Sequence, residues 1–254
     1  MSLLITLRAE MLKTKRSATF YVTIITAAIM PVIFLIDMIV DGPNAETRKD
    51  PLNAVFKMGL EVLTLAFLPM FVIAVCTLLP QIEYRNNTWK QVYASPQTKA
   101  NVFVAKFLLV QMLLLLLLLS FNVLMASFCV IGHFIAPELN MLNQPFNSSA
   151  WADYNVNAYV AVLAISTIQF WLGLRFKNFI IPMAVGLAMW VTGILLIFEF
   201  KPSYVNLFPY SYSALSVLPK YKQILPTVQL YSAGYAALFL VLGFIHFRYK
   251  NVKA

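Results

Sequence analysis

The chain has 254 residues, of which 61% are hydrophobic and 11% charged, with a net charge of +9 and a mean hydropathy of +0.77. A soluble domain has about 25% charged residues, so this chain is too poor in charge to cover a surface that faces water. The composition excludes a soluble globular protein and predicts an all-α integral membrane protein, whose positive charge reflects membrane topology rather than a nucleic-acid site.

The N-terminal residues 1–16 combine helical periodicity with basic charge. One side of the predicted helix is apolar, and consists of Leu3, Leu4, Leu7, Met11 and Leu12, interrupted by Arg8. The other side is polar, and consists of Thr6, Glu10, Lys13 and Arg16. We therefore expect an amphipathic helix that lies flat on the inner membrane face. The apolar run behind it is too long for a cleavable signal peptide.

Six apolar stretches are long enough to cross a bilayer, which takes about 20 residues in a helix. The predicted spans cover residues 17–40, 58–80, 101–131, 156–174, 179–200 and 229–247. Residues 175–178 alone separate the fourth and fifth spans, so these two helices are predicted to be antiparallel neighbours.

The charged residues predict the orientation of the chain. With the N-terminus inside, the inner side carries 13 Lys and Arg residues against two acids, Glu10 and Glu83. The outer side carries six basic residues against eight acidic ones. Because Lys and Arg gather in cytoplasmic loops, this asymmetry predicts that both termini are inside.

Residues 201–228 join the fifth and sixth predicted spans. They are too apolar for a solvated loop, and Pro202, Pro209, Pro219 and Pro226 break them too often for a spanning helix. A re-entrant or interfacial external segment, buried in protein or at headgroup depth, satisfies both observations.

Motifs for chemistry are missing from the sequence. It contains no GxxxxGK[ST] phosphate-binding loop, and its two histidines, His133 and His246, fall at opposite predicted membrane faces. Cys76 and Cys129 lie in apolar runs and are predicted to be free and buried. We therefore expect neither an enzyme nor a metal site.

A few polar residues lie within or beside the spans. Lys57 and Glu61 are four residues apart on one helical face, so they could pair or line a pathway. The alternative is that such ionisable groups, Lys106 among them, reach the headgroups or cap helices. Uncharged polar residues at depth are expected to bond between helices, and these are Gln111, Asn122 and Gln169.

The polar segment 81–106 lies between the second and third spans on the predicted inner side. Arg85, Trp89 and Tyr93 follow each other at intervals of four and could form one ridge on a short helix. Ser95 and Pro96 are typical of a helix start, so they are expected to begin the third span. The alternative is an aromatic belt at the membrane interface, with positive-inside lysines.

This layout resembles the permease subunits of ABC-2 type exporters, and is most similar to the branch of bacitracin-resistance and lantibiotic-immunity permeases. In that family an E…T-W…SP…K string commonly follows the second span, and its counterparts here are Glu83, Thr88, Trp89, Ser95, Pro96 and Lys106. The resemblance covers the whole chain as a single transmembrane permease domain, residues 1–254. Its parts would be an interfacial connecting helix at 1–16, a cytoplasmic coupling segment at 81–100 and a membrane-dipping external segment at 201–228.

The resemblance implies a mechanism and a set of partners. A separate P-loop ATPase subunit would bind ATP and Mg²⁺, and this chain would bind no cofactor. The surface for coupling to the ATPase would consist of Glu83, Tyr84, Arg85, Thr88 and Trp89, with a second contact through Arg8, Glu10, Lys13 and Lys15.

The remaining partners would be membrane lipid and a second permease, identical or related. The pair would move a hydrophobic or amphipathic solute, such as a peptide antibiotic or a lipid-like molecule, outward across the inner membrane of a bacterium. The alternative function is an integral membrane scaffold or assembly factor that transports nothing.

Overall fold

The computed structural model describes residues 3–14, 17–42, 45–86, 89, 97–202 and 204–249. In this part of the chain the structure is almost entirely helical and has no strand. The all-α fold predicted from the sequence is confirmed.

The described residues contain six helices long and apolar enough to cross a membrane, as the sequence predicted. We number them as spans 1 to 6: Ala18–Val40, Pro51–Arg85, Lys99–Ile135, Ser148–Arg175, Ile180–Phe200 and Leu225–Tyr249. An N-terminal helix, Leu3–Thr14, precedes them, and a short helix, Ala45–Lys49, lies between spans 1 and 2.

Span 2 begins at Pro51, earlier than the residue 58 that hydropathy predicted. The helix starts there because the Asp50 side chain accepts a hydrogen bond from the Asn53 backbone N–H at 3.2 Å, and proline occupies the first helical position. The span contains one π-helical stretch, Leu63–Phe67.

Spans 2, 3 and 4 form the centre of the molecule, whereas most of the surface of spans 1, 5 and 6 is exposed. Span 4 packs extensively against spans 2 and 6, and span 3 packs against span 1 and the N-terminal helix. Spans 2 and 4 lie in close contact at Gly173, where a Cβ atom would lie 2.2 Å from the carbonyl oxygen of Cys76.

The external segment between spans 5 and 6 folds into short helical pieces. It contains the 3₁₀ turns Val205–Leu207, Pro209–Ser211 and Pro219–Ile224 around a helix, Tyr212–Val217. Pro209 and Pro219 each begin a 3₁₀ turn. At that position a backbone N–H would have no hydrogen-bond partner within the turn, so proline costs nothing there. Its central tyrosines, Tyr210 and Tyr212, are fully buried, whereas Tyr204 and Leu207 are 65% and 51% exposed. Only the central part of the segment is therefore packed within the protein.

A candidate coupling site at the ends of spans 2 and 3

The N-terminal helix turns its polar side towards the protein. Thr6, Glu10 and Thr14 follow each other at intervals of four and are all buried. On the opposite side, Leu4 and Leu12 are 75% and 64% exposed. An exposed apolar side suits contact with lipid, so the geometry of the helix is compatible with the expected placement along the inner membrane surface. That placement remains a prediction.

Four charged side chains meet where this helix contacts spans 2 and 3. We call Glu10, Lys13, Glu83 and Lys106 the charge cluster. The Lys106 ammonium group donates to Glu10 Oε2 at 2.7 Å and to Glu83 Oε1 at 2.5 Å. The Lys13 ammonium group donates to Glu10 Oε1 at 2.7 Å and to Glu83 Oε1 at 3.1 Å. Each lysine therefore bridges the same two carboxylates.

The charge cluster is buried except at Lys13. Glu83, Lys106 and Glu10 are 1%, 3% and 6% exposed, whereas the Lys13 side chain is 37% exposed. Two carboxylates and two ammonium groups leave it with no net charge, which limits the desolvation cost of its burial. Glu83 Oε2 is buried without a hydrogen-bond partner among the described residues.

Glu10 and Lys13 of the N-terminal helix are held in their charged forms. Burial alone would raise the pKa of Glu10, but the ammonium groups of Lys106 and Lys13 outweigh it, and the pKa lies below its ordinary value of 4.5. Burial alone would lower the pKa of Lys13, but Glu10 and Glu83 outweigh it, and the pKa lies above its ordinary value of 10.5. Both residues therefore remain ionised at neutral pH.

Trp89 and Tyr84 extend the charge cluster towards spans 4 and 6. The Trp89 ring centroid lies 5.6 Å from Lys106 Nζ, within the range of a cation–π contact. The same ring packs against Tyr84 at 5.2 Å and Phe247 at 6.0 Å between centroids. The Tyr84 hydroxyl donates to the carbonyl of Leu174 at 2.7 Å. The N-terminal helix and spans 2, 3, 4 and 6 are thus joined at one end.

The predicted coupling residues fall into three groups. Glu10, Glu83 and Trp89 are buried inside the chain, Tyr84 and Lys13 are partly covered, and Arg8 and Arg85 are exposed. Thr88 and Lys15 lie outside the described residues, as do Ser95 and Pro96. Span 3 was expected to begin at Ser95 and Pro96, which was wrong: it begins at Lys99, where the Thr98 side chain accepts a hydrogen bond from the Asn101 backbone N–H at 3.2 Å. Contact of any of these side chains with an ATPase remains a prediction, and the exposed arginines are the ones placed for it.

For Lys106, one interpretation of the sequence was that it reaches the headgroups or caps a helix. In the structure it is buried and joins two carboxylates, so that interpretation was wrong. A lysine inside an apolar helix, on the same predicted side as two acids, was the signal that could have found it.

Lys57 and Glu61 lie near the opposite end of span 2. Lys57 Nζ is 3.9 Å from Glu61 Oε1, and the two side chains are 49% and 29% exposed. A surface pair at this distance contributes about 0–1 kcal/mol. A role in a solute pathway remains a prediction.

The uncharged polar residues within the spans bond between elements. Gln111 donates to Ser166 at 3.2 Å, Asn122 donates to Asn155 at 2.7 Å, and Gln169 donates to Tyr210 at 2.8 Å. These pairs join span 3 to span 4, and span 4 to the external segment, as the sequence analysis expected for Gln111, Asn122 and Gln169.

The described residues contain no group of three or more His, Cys, Asp or Glu side chains that could hold a metal. Both cysteines, Cys76 and Cys129, are free and buried. The charge cluster brings four ionisable side chains into contact, and its paired charges join the N-terminal helix to spans 2 and 3.

Comparison with protein families matches residues 6–193 to the family described as ABC-2 family transporter protein. The match includes most of the N-terminal helix, spans 1 to 4 and most of span 5. Comparison with curated proteins returns no significant match. Since the family match covers most of the chain and the fold supplies six apolar helices, the chain belongs to the ABC-2 family and is a multi-pass membrane permease.

Proposed function

We propose that this chain is the permease subunit of an exporter, in which a separate P-loop ATPase drives a hydrophobic or amphipathic solute outward. The family is a membrane transport component that is not itself catalytic, and it assembles with an ATPase subunit in general. The charge cluster is the observation that carries the proposal for this chain. It connects a surface helix to the ends of spans 2 and 3, so movement at that surface would reach the spans.

The chemistry of the docking surface follows from the same cluster. Glu10 and Glu83 are the only acids on the predicted inner side, and both are buried against lysines. Arg8 and Arg85, each two residues from one of these acids in the sequence, are exposed and basic. An ATPase that docks here would present acidic residues, because complementary charge favours encounter and fixes orientation.

The exposed apolar surfaces of spans 1, 5 and 6 support the remaining partners. Lipid covers part of these surfaces, and a second permease, identical or related, covers the rest, with the solute pathway between the two. The solute is a peptide antibiotic or a lipid-like molecule, as in the bacitracin-resistance and lantibiotic-immunity branch, and the membrane is the inner membrane of a bacterium.

The test is purification of the tagged chain in mild detergent, followed by mass spectrometry of the proteins that accompany it. We expect a P-loop ATPase in near-equal amount. Arg8→Glu combined with Arg85→Glu should reduce its recovery by at least tenfold, since two attractive contacts become repulsive. Lys222→Glu, a charge reversal at an exposed lysine of the predicted outer side, is the matched control and should leave recovery unchanged.

Two results would count against the proposal. If the chain is recovered alone, under conditions that preserve a known transporter complex, an integral membrane scaffold or assembly factor becomes the better assignment. If an ATPase is recovered equally with the double arginine variant, the ATPase docks elsewhere on the chain.

A further inference from the structure

Lys106 occupies a position that neither stability nor solvent access explains. Its ammonium group is buried near the N-terminal end of span 3. It lies between a carboxylate of the N-terminal helix and a carboxylate of span 2. Well-packed apolar residues commonly stabilise a protein as much as a buried ion pair does, and sometimes more. A buried charge is better understood by what it orients than by the stability it adds.

The N-terminal helix needs such an orienting contact. Its exposed apolar side chains can rest against lipid at many rotational settings, because contact with lipid is not directional. Hydrogen bonds between charged groups depend on direction. The bonds from Lys106 and Lys13 to Glu10 are therefore suited to hold the helix at one setting against spans 2 and 3.

The same ammonium group also faces Trp89, which follows the end of span 2. Trp89 packs on Phe247 of span 6, and its neighbour Tyr84 bonds to Leu174 of span 4. Lys106 thus lies at the point where the N-terminal helix, the end of span 2 and the aromatic contacts to spans 4 and 6 meet.

We propose that Lys106 is a positioning residue that locks the N-terminal helix and the end of span 2 into one rigid unit with span 3. The lock is a property of this chain, and can be measured without the ATPase. Its use in transport rests on the proposed function: a displacement imposed by the ATPase at the inner surface would move the three elements together.

The first measurement is a distance between two spin labels, on Leu12→Cys in the N-terminal helix and Lys177→Cys between spans 4 and 5. Both parent side chains are exposed, and the native cysteines are buried. We expect one narrow distance distribution in the parent protein. In the Lys106→Met variant, the width of this distribution should be at least twofold greater. Lys99→Met is the matched control, because this exposed lysine of span 3 bonds instead to the Arg248 carbonyl at 2.9 Å. It should keep the distribution narrow.

A charge exchange separates positioning from general damage. Lys106→Glu alone places a third carboxylate against Glu10 and Glu83 and should broaden the distribution. Exchange of all four members, Glu10→Lys, Lys13→Glu, Glu83→Lys and Lys106→Glu, keeps every contact between opposite charges and should narrow it again. A distribution unchanged by Lys106→Met would overturn the proposal. So would a fourfold variant no narrower than Lys106→Glu, and this test remains available if Lys106→Met does not fold.

A second measurement uses the complex with the ATPase. Addition of ATP and vanadate should shift the label distance in the parent and in Lys99→Met, and the shift should be lost in Lys106→Met although the ATPase still co-purifies. A shift retained in Lys106→Met would overturn the role of the lock in coupling. Absence of any ATPase from the parent preparation would instead contradict the proposed function, and would leave the first measurement valid.

Discussion

Gly173 and Gly234 both lie inside spanning helices, but their surroundings differ. A Cβ atom at Gly173 would lie 2.2 Å from the backbone oxygen of Cys76, a distance that a real side chain does not reach, whereas one at Gly234 would meet nothing within 4 Å. Backbone cannot move aside as a flexible side chain does. Gly173 is therefore the residue that permits the close approach of spans 2 and 4.

This contrast predicts opposite effects for the same substitution. Gly173→Ala should force the two spans apart and lower the free energy of unfolding by about 1–3 kcal/mol, the usual cost of overpacking. Gly234→Ala should leave it unchanged or raise it by about 0.5–1 kcal/mol, because alanine favours a helix over glycine. Thermal unfolding of the detergent-purified chain measures both, and equal midpoints would contradict the assigned role of Gly173.

At the residue scale, sequence reasoning found individual polar groups more readily than their partners. Glu10, Lys13 and Glu83 were identified as functional candidates, but as a surface for another protein. Their mutual contacts depend on the packing of a helix and two spans that lie far apart in the sequence, which no local periodicity encodes. Lys106 was assigned to the headgroups because the acids that surround it could not be placed in space.

At the scale of elements, Glu10 and Lys13 contribute charges of the N-terminal helix itself to its docking. A lowered Glu10 pKa makes its contribution to docking fully present above the ordinary value of 4.5, and lost as the pH falls through the folded-state pKa. A raised Lys13 pKa makes its contribution fully present below 10.5, and lost as the pH rises through the folded-state pKa. Among the described residues, the charged groups that contact these two are Glu83 and Lys106.

Docking of this helix should therefore be constant between about pH 5 and pH 10, and should weaken in stronger acid. The Leu12-to-Lys177 label distance measures it across this range. Glu10→Gln, which removes the carboxylate, should broaden the distance distribution at neutral pH and respond less to acid than the parent. Release of the parent helix between pH 6 and pH 8 would show that other groups hold it.

The spans were predictable because an apolar run of about 20 residues or more forms a spanning helix in a membrane. Hydropathy located all six, but placed the start of span 2 at residue 58 because Lys57 interrupts the apolar pattern. The Asp50 cap extends the helix to Pro51. In the external segment the prolines correctly predicted breaks, while burial of Tyr210 and Tyr212 depends on contacts with distant spans.

At the scale of the whole molecule, the charge cluster affects the charge of the surface on the predicted inner side. The acids that would offset the predicted inner charge, Glu10 and Glu83, are neutralised by Lys13 and Lys106 within the protein. The surface they leave on that side is therefore basic. Such a surface favours the cytoplasmic side, which attracts Lys and Arg through anionic lipids.

The orientation can be measured with single cysteines at Lys177 and Ser149. Both side chains are exposed, and they lie at opposite ends of span 4, Ser149 near its start and Lys177 just beyond its end. In intact cells, a membrane-impermeant thiol reagent should label Ser149→Cys and leave Lys177→Cys unlabelled until the cells are opened. The buried native cysteines, Cys76 and Cys129, should contribute little background. Labelling of Lys177→Cys alone in intact cells would reverse the topology, and would place the charge cluster, with its basic surface, on the side away from any ATP-driven partner.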